Sequence, residues 1–181
     1  PLSALSEPKE GSMERMVGLY VHQHWPYKRP YAARTWTLED WRGWADGCKR
    51  LGYNTFLIWP MLETMPEPLT PSDTAYLHKL GKVIDMLHSE FGMRVYFALC
   101  PNIRANNKEA SKATFETRHY YYCDTLVNPA DPLELEKLVR WREKLLEPVK
   151  HVDGISIIDS DPGCYPGSTN ADFVHLLKAH R

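Results

Sequence analysis

Two pairs of side chains in the sequence have a spacing that could support chemistry. His22 and His24 lie two residues apart at the end of one apolar run, and Asp159 and Asp161 lie two residues apart at the end of another. Residues two apart on a β-strand project from the same face, so each pair can act on one ligand. Two carboxyl groups held close together split their pKa values, which lets one donate a proton while the other stays ionised. The aspartate pair therefore predicts the acid/base chemistry that glycosidic bond cleavage requires.

The histidine pair has two interpretations. A His-x-His pair on a first strand binds zinc in metal-dependent amidohydrolases, although imidazole pairs need a third ligand and usually a carboxylate. The other interpretation is hydrogen bonding to a substrate or to neighbouring loops. We expect no metal and no other cofactor, and we keep His22 and His24 as the metal ligands of the alternative.

Both pairs follow short apolar runs that alternate with helical patterns. The apolar runs span residues 16–24, 53–61, 93–100 and 154–159, and the helical patterns begin near Thr37, Asp73, Asp131 and Asn170. Near-continuous apolar strands are typical of a parallel sheet that helices cover. This order predicts an α/β fold of parallel (β/α) units.

Three architectures are compatible with this order of elements: the first half of a TIM (β/α)8 barrel, a small doubly wound sheet, or a deletion variant of either. A phosphate-binding doubly wound fold needs glycine in the turn after its first strand, but that turn reads HQHWPYKRP. A full barrel takes roughly 250 residues, so four units in 181 residues favour the half-barrel.

The sequence predicts one structured region. Residues 1–15 are small, polar and unpatterned, and we expect a linker or a disordered segment there. Residues 16–181 form the predicted partial barrel. The helical pattern that starts at Asn170 ends without a Gly or Asn cap, so we expect the barrel to be truncated at the C-terminus.

The composition excludes some classes of function. Lys and Arg number 22 against 23 Asp and Glu, a balance that argues against binding to nucleic acids or membrane surfaces. No apolar run approaches the ~18 residues of a spanning helix. The four cysteines include no Cys-x-x-Cys pair, which argues against a thiolate zinc site, while a Cys100–Cys164 disulfide stays open.

The loops after the strands are long, whereas the turns before them are short, and ligands bind at the carboxyl ends of parallel strands. These loops combine Trp and Tyr with His, Asn, Asp and Arg, a mixture that suits the CH faces and hydroxyl edges of sugars. The predicted catalytic residues are Asp159 and Asp161. The predicted substrate-binding residues are His22, His24, Trp25, Trp59, Glu63, Asn102, Arg104 and Tyr165.

Two segments resemble the (β/α)8 glycoside hydrolases, loosely the family 20 hexosaminidase group. WTLEDWRGWADGCKRLGYNTFLIWP resembles a first helix running into an N-x-x-x-x-W second strand, and VDGISIIDSDPGCYPG resembles a fourth strand with its acidic loop. In that family a consecutive Asp-Glu ends the fourth strand and supplies the orienting carboxylate and the general acid. The resemblance matches Asp159 to the Asp. Ser160 stands in place of the Glu, so the resemblance leaves three interpretations: Asp161 is the acid, a later strand supplies the acid, or the barrel binds glycans without cleaving them.

The leading hypothesis is a barrel that hydrolyses O-glycosyl bonds by carboxylate acid/base chemistry, with a carbohydrate and the remaining half of the barrel as partners. The alternatives are a metal-dependent amidohydrolase-type hydrolase and a non-catalytic carbohydrate-binding barrel. The sequence does not identify a compartment, and an enzyme acting on glycans is slightly favoured to be secreted or periplasmic.

Overall fold

A four-stranded parallel sheet organises the chain in the computed structural model, which describes residues 15–23, 32–119, 125–158 and 169–181. The strands are β1 (Gly18–His22), β2 (Thr55–Trp59), β3 (Arg94–Leu99) and β6 (Gly154–Ile157), and they lie side by side in that order. Each strand pairs in parallel with the next, as the sequence predicts. A sheet that adds parallel strands in chain order is the arrangement of a (β/α)8 barrel, so the fold is a partial TIM barrel.

Four longer helices alternate with these strands: α1 (Leu38–Arg50), α2 (Pro71–Phe91), α4 (Pro132–Leu146) and α5 (Asn170–Ala179). Three of them begin with a capping box, in which a threonine and an aspartate three residues later satisfy each other's backbone N–H groups. The box formed by Thr70 and Asp73 starts α2 two residues before the predicted position, because Pro71 fits the first turn. Gly92 ends the same helix in the left-handed conformation, as predicted.

The segment at residues 101–130, which shows no sequence periodicity, contains three short elements. These are the elements of its described residues, 101–119 and 125–130: strands β4 (Ile103–Arg104) and β5 (Thr125–Leu126) form an antiparallel pair, and α3 (Asn107–Ala110) lies between them in the chain. Elements of two to four residues are too short to produce a periodic pattern. None of the described helices is both long and apolar enough to cross a membrane.

The two faces of the sheet differ in burial. Phe56, Ile58, Val95 and Phe97 face the helices and have no exposed surface. On the other face Tyr20 is 44% exposed, and Leu57 and Tyr96, its neighbours in register, are partly exposed. In a closed barrel this second face is the interior, where side chains from all strands pack in layers. The helix-covered face therefore supplies the core of the described chain.

We predict that Gly154→Ala destabilises the fold. A Cβ at Gly154 would lie 2.8 Å from Cε1 of Tyr96, which covers this glycine from the neighbouring strand. Relief of such overlap costs about 1–3 kcal/mol of unfolding free energy, measurable by urea denaturation. Gly43→Ala on α1 is the matched control, since its Cβ would meet nothing within 4 Å and alanine favours the helix. Equal stability of the two variants would contradict this packing.

Candidate functional site

His22 and Trp59 meet at the carboxyl ends of β1 and β2. The two residues are register partners, and their rings contact edge to face with centroids 4.7 Å apart. Tyr20 approaches His22 from the same strand, with its ring centroid 5.6 Å away. Ligands bind at this end of the strands in α/β folds. The structure thus brings together two of the residues that the sequence predicts for the site.

A tight turn after β2 places Glu63 beside Trp59. Met61 adopts the left-handed conformation (φ 60°, ψ 36°), which is uncommon for a residue other than glycine, and the next three residues form a 3₁₀ turn. Oε2 of Glu63 accepts a hydrogen bond of 3.2 Å from Nε1 of Trp59, and Oε1 accepts one of 2.6 Å from the backbone N–H of Cys100. Glu63 therefore joins the end of β2 to the end of β3.

Three of the predicted sugar-contacting residues are buried. Trp59 is 2% exposed, Glu63 is 1% exposed and Asn102 has no exposed surface. Asn102 also contributes its backbone carbonyl, which accepts a hydrogen bond of 2.8 Å from Val127. In this structure the three residues pack beneath the surface at the carboxyl ends of the strands, and their direct contact with a substrate stays a prediction. His22 is only partly buried.

Arg104, a predicted substrate-binding residue, contacts a carboxylate of the protein. It lies in β4, and its Nη2 is 3.7 Å from Oε2 of Glu67, in the loop after β2. Lys144 of α4 approaches the other oxygen of Glu67 at 3.5 Å. The described contacts of Arg104 thus link two loops, and its predicted role in binding a substrate stays untested.

The remaining predicted residues, His24, Trp25, Asp159, Asp161 and Tyr165, lie outside the described residues, as does Cys164. The segment before Asp159 reaches the site, since the backbone N–H of Ile158 donates a hydrogen bond of 2.8 Å to the carbonyl of Leu99. Leu99 directly precedes Cys100, whose N–H binds Glu63. Ile158 therefore lies next to the joined ends of β2 and β3.

Arg34 is a buried residue that the sequence analysis missed. Its Nε donates to the carbonyl of Gln23 at 2.8 Å, and its Nη1 donates to the carbonyls of Phe115 and Arg118 at 2.8 and 2.7 Å. Burial lowers the pKa of the Arg34 guanidinium to about 10. Tyr76 of α2 stacks on Phe115 and donates its hydroxyl hydrogen to Oε1 of Gln23. Arg34 thus fixes the end of β1 to the loop after β3.

Arg118 makes a second clamp in the same region. Its guanidinium pairs with both oxygens of Asp73 at 2.6 and 3.1 Å, and neither side chain is exposed. It also donates to the carbonyl of Thr64, in the turn after β2. The capping pattern at Asp73 is visible in the sequence, but its pairing across 45 residues is not. A buried ion pair carries no periodic signal.

The described residues contain no group of three His, Cys, Asp or Glu side chains able to hold a metal ion. Cys48 and Cys100 are both buried.

The fold is similar to that of known glycoside hydrolases. An exo-β-1,4-mannosidase from Opitutaceae bacterium strain TAV5 matches with a TM-score of 0.50 and 21% identity, over 91% of this chain and 29% of that chain. A maltogenic α-amylase from Thermotoga neapolitana matches with a TM-score of 0.47 and 12% identity, over 90% of this chain and 42% of that chain. The chain thus spans less than half the length of either protein. The likeness to the mannosidase supports the barrel fold.

No family model matches the sequence, and no curated protein matches it. The predicted relation to the family 20 hexosaminidases stays a prediction.

We predict that Glu63→Ala lowers stability and changes the environment of Trp59. The variant removes the carboxylate that accepts hydrogen bonds from two buried donors, Nε1 of Trp59 and the N–H of Cys100. Each unsatisfied donor costs about 1–3 kcal/mol, and the loss is measurable by urea denaturation. A shifted tryptophan fluorescence spectrum of the folded variant should accompany it.

Glu136→Ala on the exposed face of α4 is the control for Glu63→Ala. Its carboxylate forms a surface pair with Arg140, and such pairs contribute little to the free energy of unfolding. A Glu63→Ala variant as stable as this control, with unchanged fluorescence, would contradict the proposed tie between β2 and β3.

We predict a large loss of stability for Asp73→Ala. The change removes a helix cap and leaves the buried Arg118 charge without its partner, which costs about 3–5 kcal/mol. Asp40→Ala is the matched control, because Asp40 has the same capping role with Thr37 on α1 but is exposed. Denaturation midpoints that fall equally in both variants would show that the Arg118–Asp73 pair adds nothing beyond the cap.

Proposed function

We propose that this chain is part of a (β/α)8-barrel glycoside hydrolase that cleaves a glycan at the carboxyl ends of its parallel strands. The observation that carries the proposal is the joining of four strand ends, those of β1, β2, β3 and β6. His22 contacts Trp59, Glu63 binds both Trp59 and the backbone of Cys100, and Ile158 lies beside Leu99. The chain enters the predicted acidic loop from this cluster, because Asp159 is the residue that follows Ile158.

In the proposed reaction one aspartate is the general acid and the other is the orienting carboxylate. Asp161 protonates the glycosidic oxygen as the bond to the leaving sugar breaks, and Asp159 in its ionised form orients the substrate and stabilises the positive charge that develops on the sugar ring. Asp159 takes the orienting role because the resemblance to family 20 matches it to that family's aspartate. Water then attacks the anomeric carbon, and the proton that it releases restores Asp161 to its acid form, which completes hydrolysis.

The other predicted residues bind the sugar. His22, with His24 and Trp25 after β1, supplies hydrogen-bonding groups and an aromatic surface, and Tyr165 supplies a second aromatic surface. Arg104 contributes from the segment after β3, and Asn102, which has no exposed surface, supports that segment from beneath. Trp59 and Glu63 act beneath them, since both oxygens of Glu63 accept hydrogen bonds from the protein. The remaining half of the barrel completes the rim from the other side.

The test is hydrolysis of a panel of nitrophenyl glycosides and oligosaccharides by the purified protein, with β-1,4-linked mannosides included because of the mannosidase likeness. We expect one class of glycan to be cleaved. Replacing Asp161 or Asp159 by Asn should lower kcat by about 10²–10⁴-fold, the usual contribution of an acid or base group. Asp46→Asn on the outer helix α1 is the matched control and should leave kcat unchanged.

Two other outcomes would replace this proposal. Bound zinc by elemental analysis, together with loss of activity in the His22→Gln variant, would favour the amidohydrolase-type alternative. Glycan binding without turnover, unchanged in Asp161→Asn, would favour a non-catalytic carbohydrate-binding barrel.

A further inference from the structure

A cavity of about 540 Å³ lies on the helix side of the sheet, among residues of α4, β6 and the end of α5. Ile155 and Ile157 line it from β6. The residue between them, Ser156, is the register partner of Ala98 and belongs to the opposite face, because neighbouring side chains on a strand alternate. The cavity is therefore on the other side of the sheet from His22 and Trp59. The other apolar residues of its wall are Leu99, Val139, Leu146 and Ala179.

The polar end of this cavity contains a buried guanidinium with unused hydrogen-bonding capacity. Arg142 is 3% exposed, and its Nη2 donates to the carbonyls of Cys100 and Ile103 at 3.1 and 2.7 Å. Nη1 is also buried but has no hydrogen-bond partner among the described residues. An unsatisfied donor on a buried cation is costly, and an acceptor that carries negative charge compensates it best.

His180 provides a second buried nitrogen in the same cavity. Its Nδ1 is 2.9 Å from the carbonyl of Leu176, which can only accept, so the hydrogen is assigned to Nδ1. Nε2 is buried and has no partner among the described residues. Burial lowers the pKa of His180, the Leu176 contact raises it, and the charge of Arg142 lowers it. Burial, which is the largest effect, and the charge of Arg142 thus both favour the neutral imidazole.

We infer that this cavity is a binding site for a small monocarboxylate with an apolar body. One carboxylate oxygen accepts from Nη1 of Arg142, and the apolar part of the ligand packs against Ile155, Ile157 and Leu146. The second oxygen lies within the cavity that Nε2 of His180 also lines. A neutral alcohol carries no charge to compensate that of Arg142, and a protonated amine is repelled by the guanidinium. Both should therefore bind more weakly than the carboxylate.

Binding should be coupled to protonation of His180. The charged groups that line the cavity besides Arg142 are Glu143, Glu147, Lys150 and Arg181, while β6 contributes only Ile155 and Ile157. A bound carboxylate opposes the effects that lower the pKa of His180 and so raises it, which means that a proton is taken up on binding. Because the pKa of unliganded His180 is lowered and binding raises it, affinity should increase as the pH falls from about 7 to about 5, within the range in which histidine titrates.

The test is calorimetric titration of the purified protein with hexanoate, hexan-1-ol and hexylamine. We expect hexanoate to bind about tenfold or more tightly than either analogue, the preference that one charge-assisted hydrogen bond provides. Arg142→Gln should remove that preference. Arg140→Gln, on the exposed face of the same helix, is the matched control and should leave it intact.

Two further variants keep the test decisive if Arg142→Gln fails to fold. Ala179→Phe places an aromatic ring inside the cavity without changing Arg142 and should weaken hexanoate binding. His180→Gln should keep the affinity found at the higher pH and lose its increase at the lower pH. The proposal is overturned if hexanoate does not bind, if hexylamine or hexan-1-ol binds as tightly, or if Ala179→Phe leaves binding unchanged.

Discussion

The carboxyl group of Glu63 is the interaction on which the candidate site depends. The β-sheet pairing aligns β2 with β3 along their lengths, but its register ends at Ile58 and Phe97. Beyond these residues, Glu63 accepts from the Trp59 side chain and from the Cys100 backbone, so one side chain fixes both loop starts. Because Trp59 in turn contacts His22, the constraint extends to β1. Chemistry at the strand ends needs this rigidity, since catalytic groups act only when held within a narrow range of positions.

Two buried arginines extend the same principle to the surrounding loops. Arg34 binds carbonyls on both sides of the site, and Arg118 pairs with Asp73 at the start of α2. Buried guanidinium groups require several acceptors, so each fixes several segments of irregular chain at once. This explains how the segment at residues 101–119, which has little regular structure, can have a defined path. Hydrogen bonds and an ion pair from the two arginines therefore link the described loop segments around the site to one another.

The sequence predicts the elements well and the long-range contacts poorly. The alternation of apolar runs with capped helices depends on local patterns, and the parallel sheet confirms it. The predicted strands are longer than the observed ones because apolar residues continue into the buried turns, as at Met61. The burial of Trp59 and Asn102, and the pairing of Arg118 with Asp73, depend on contacts across tens of residues. Such contacts leave no local signal in the sequence. A tryptophan at the end of a strand, such as Trp59, produces the same sequence pattern whether it is exposed or buried.

The central claim is that a glycan lies across the carboxyl ends of β1, β2, β3 and β6. Backbone amide chemical shifts, recorded while an oligosaccharide is titrated into the isotope-labelled protein, measure this residue by residue. We predict that the largest changes occur at His22, Cys100 and Ile158, with none at the opposite ends of the strands, Gly18, Thr55 and Arg94. Changes confined to that opposite end, or to the outer faces of the helices, would contradict the account.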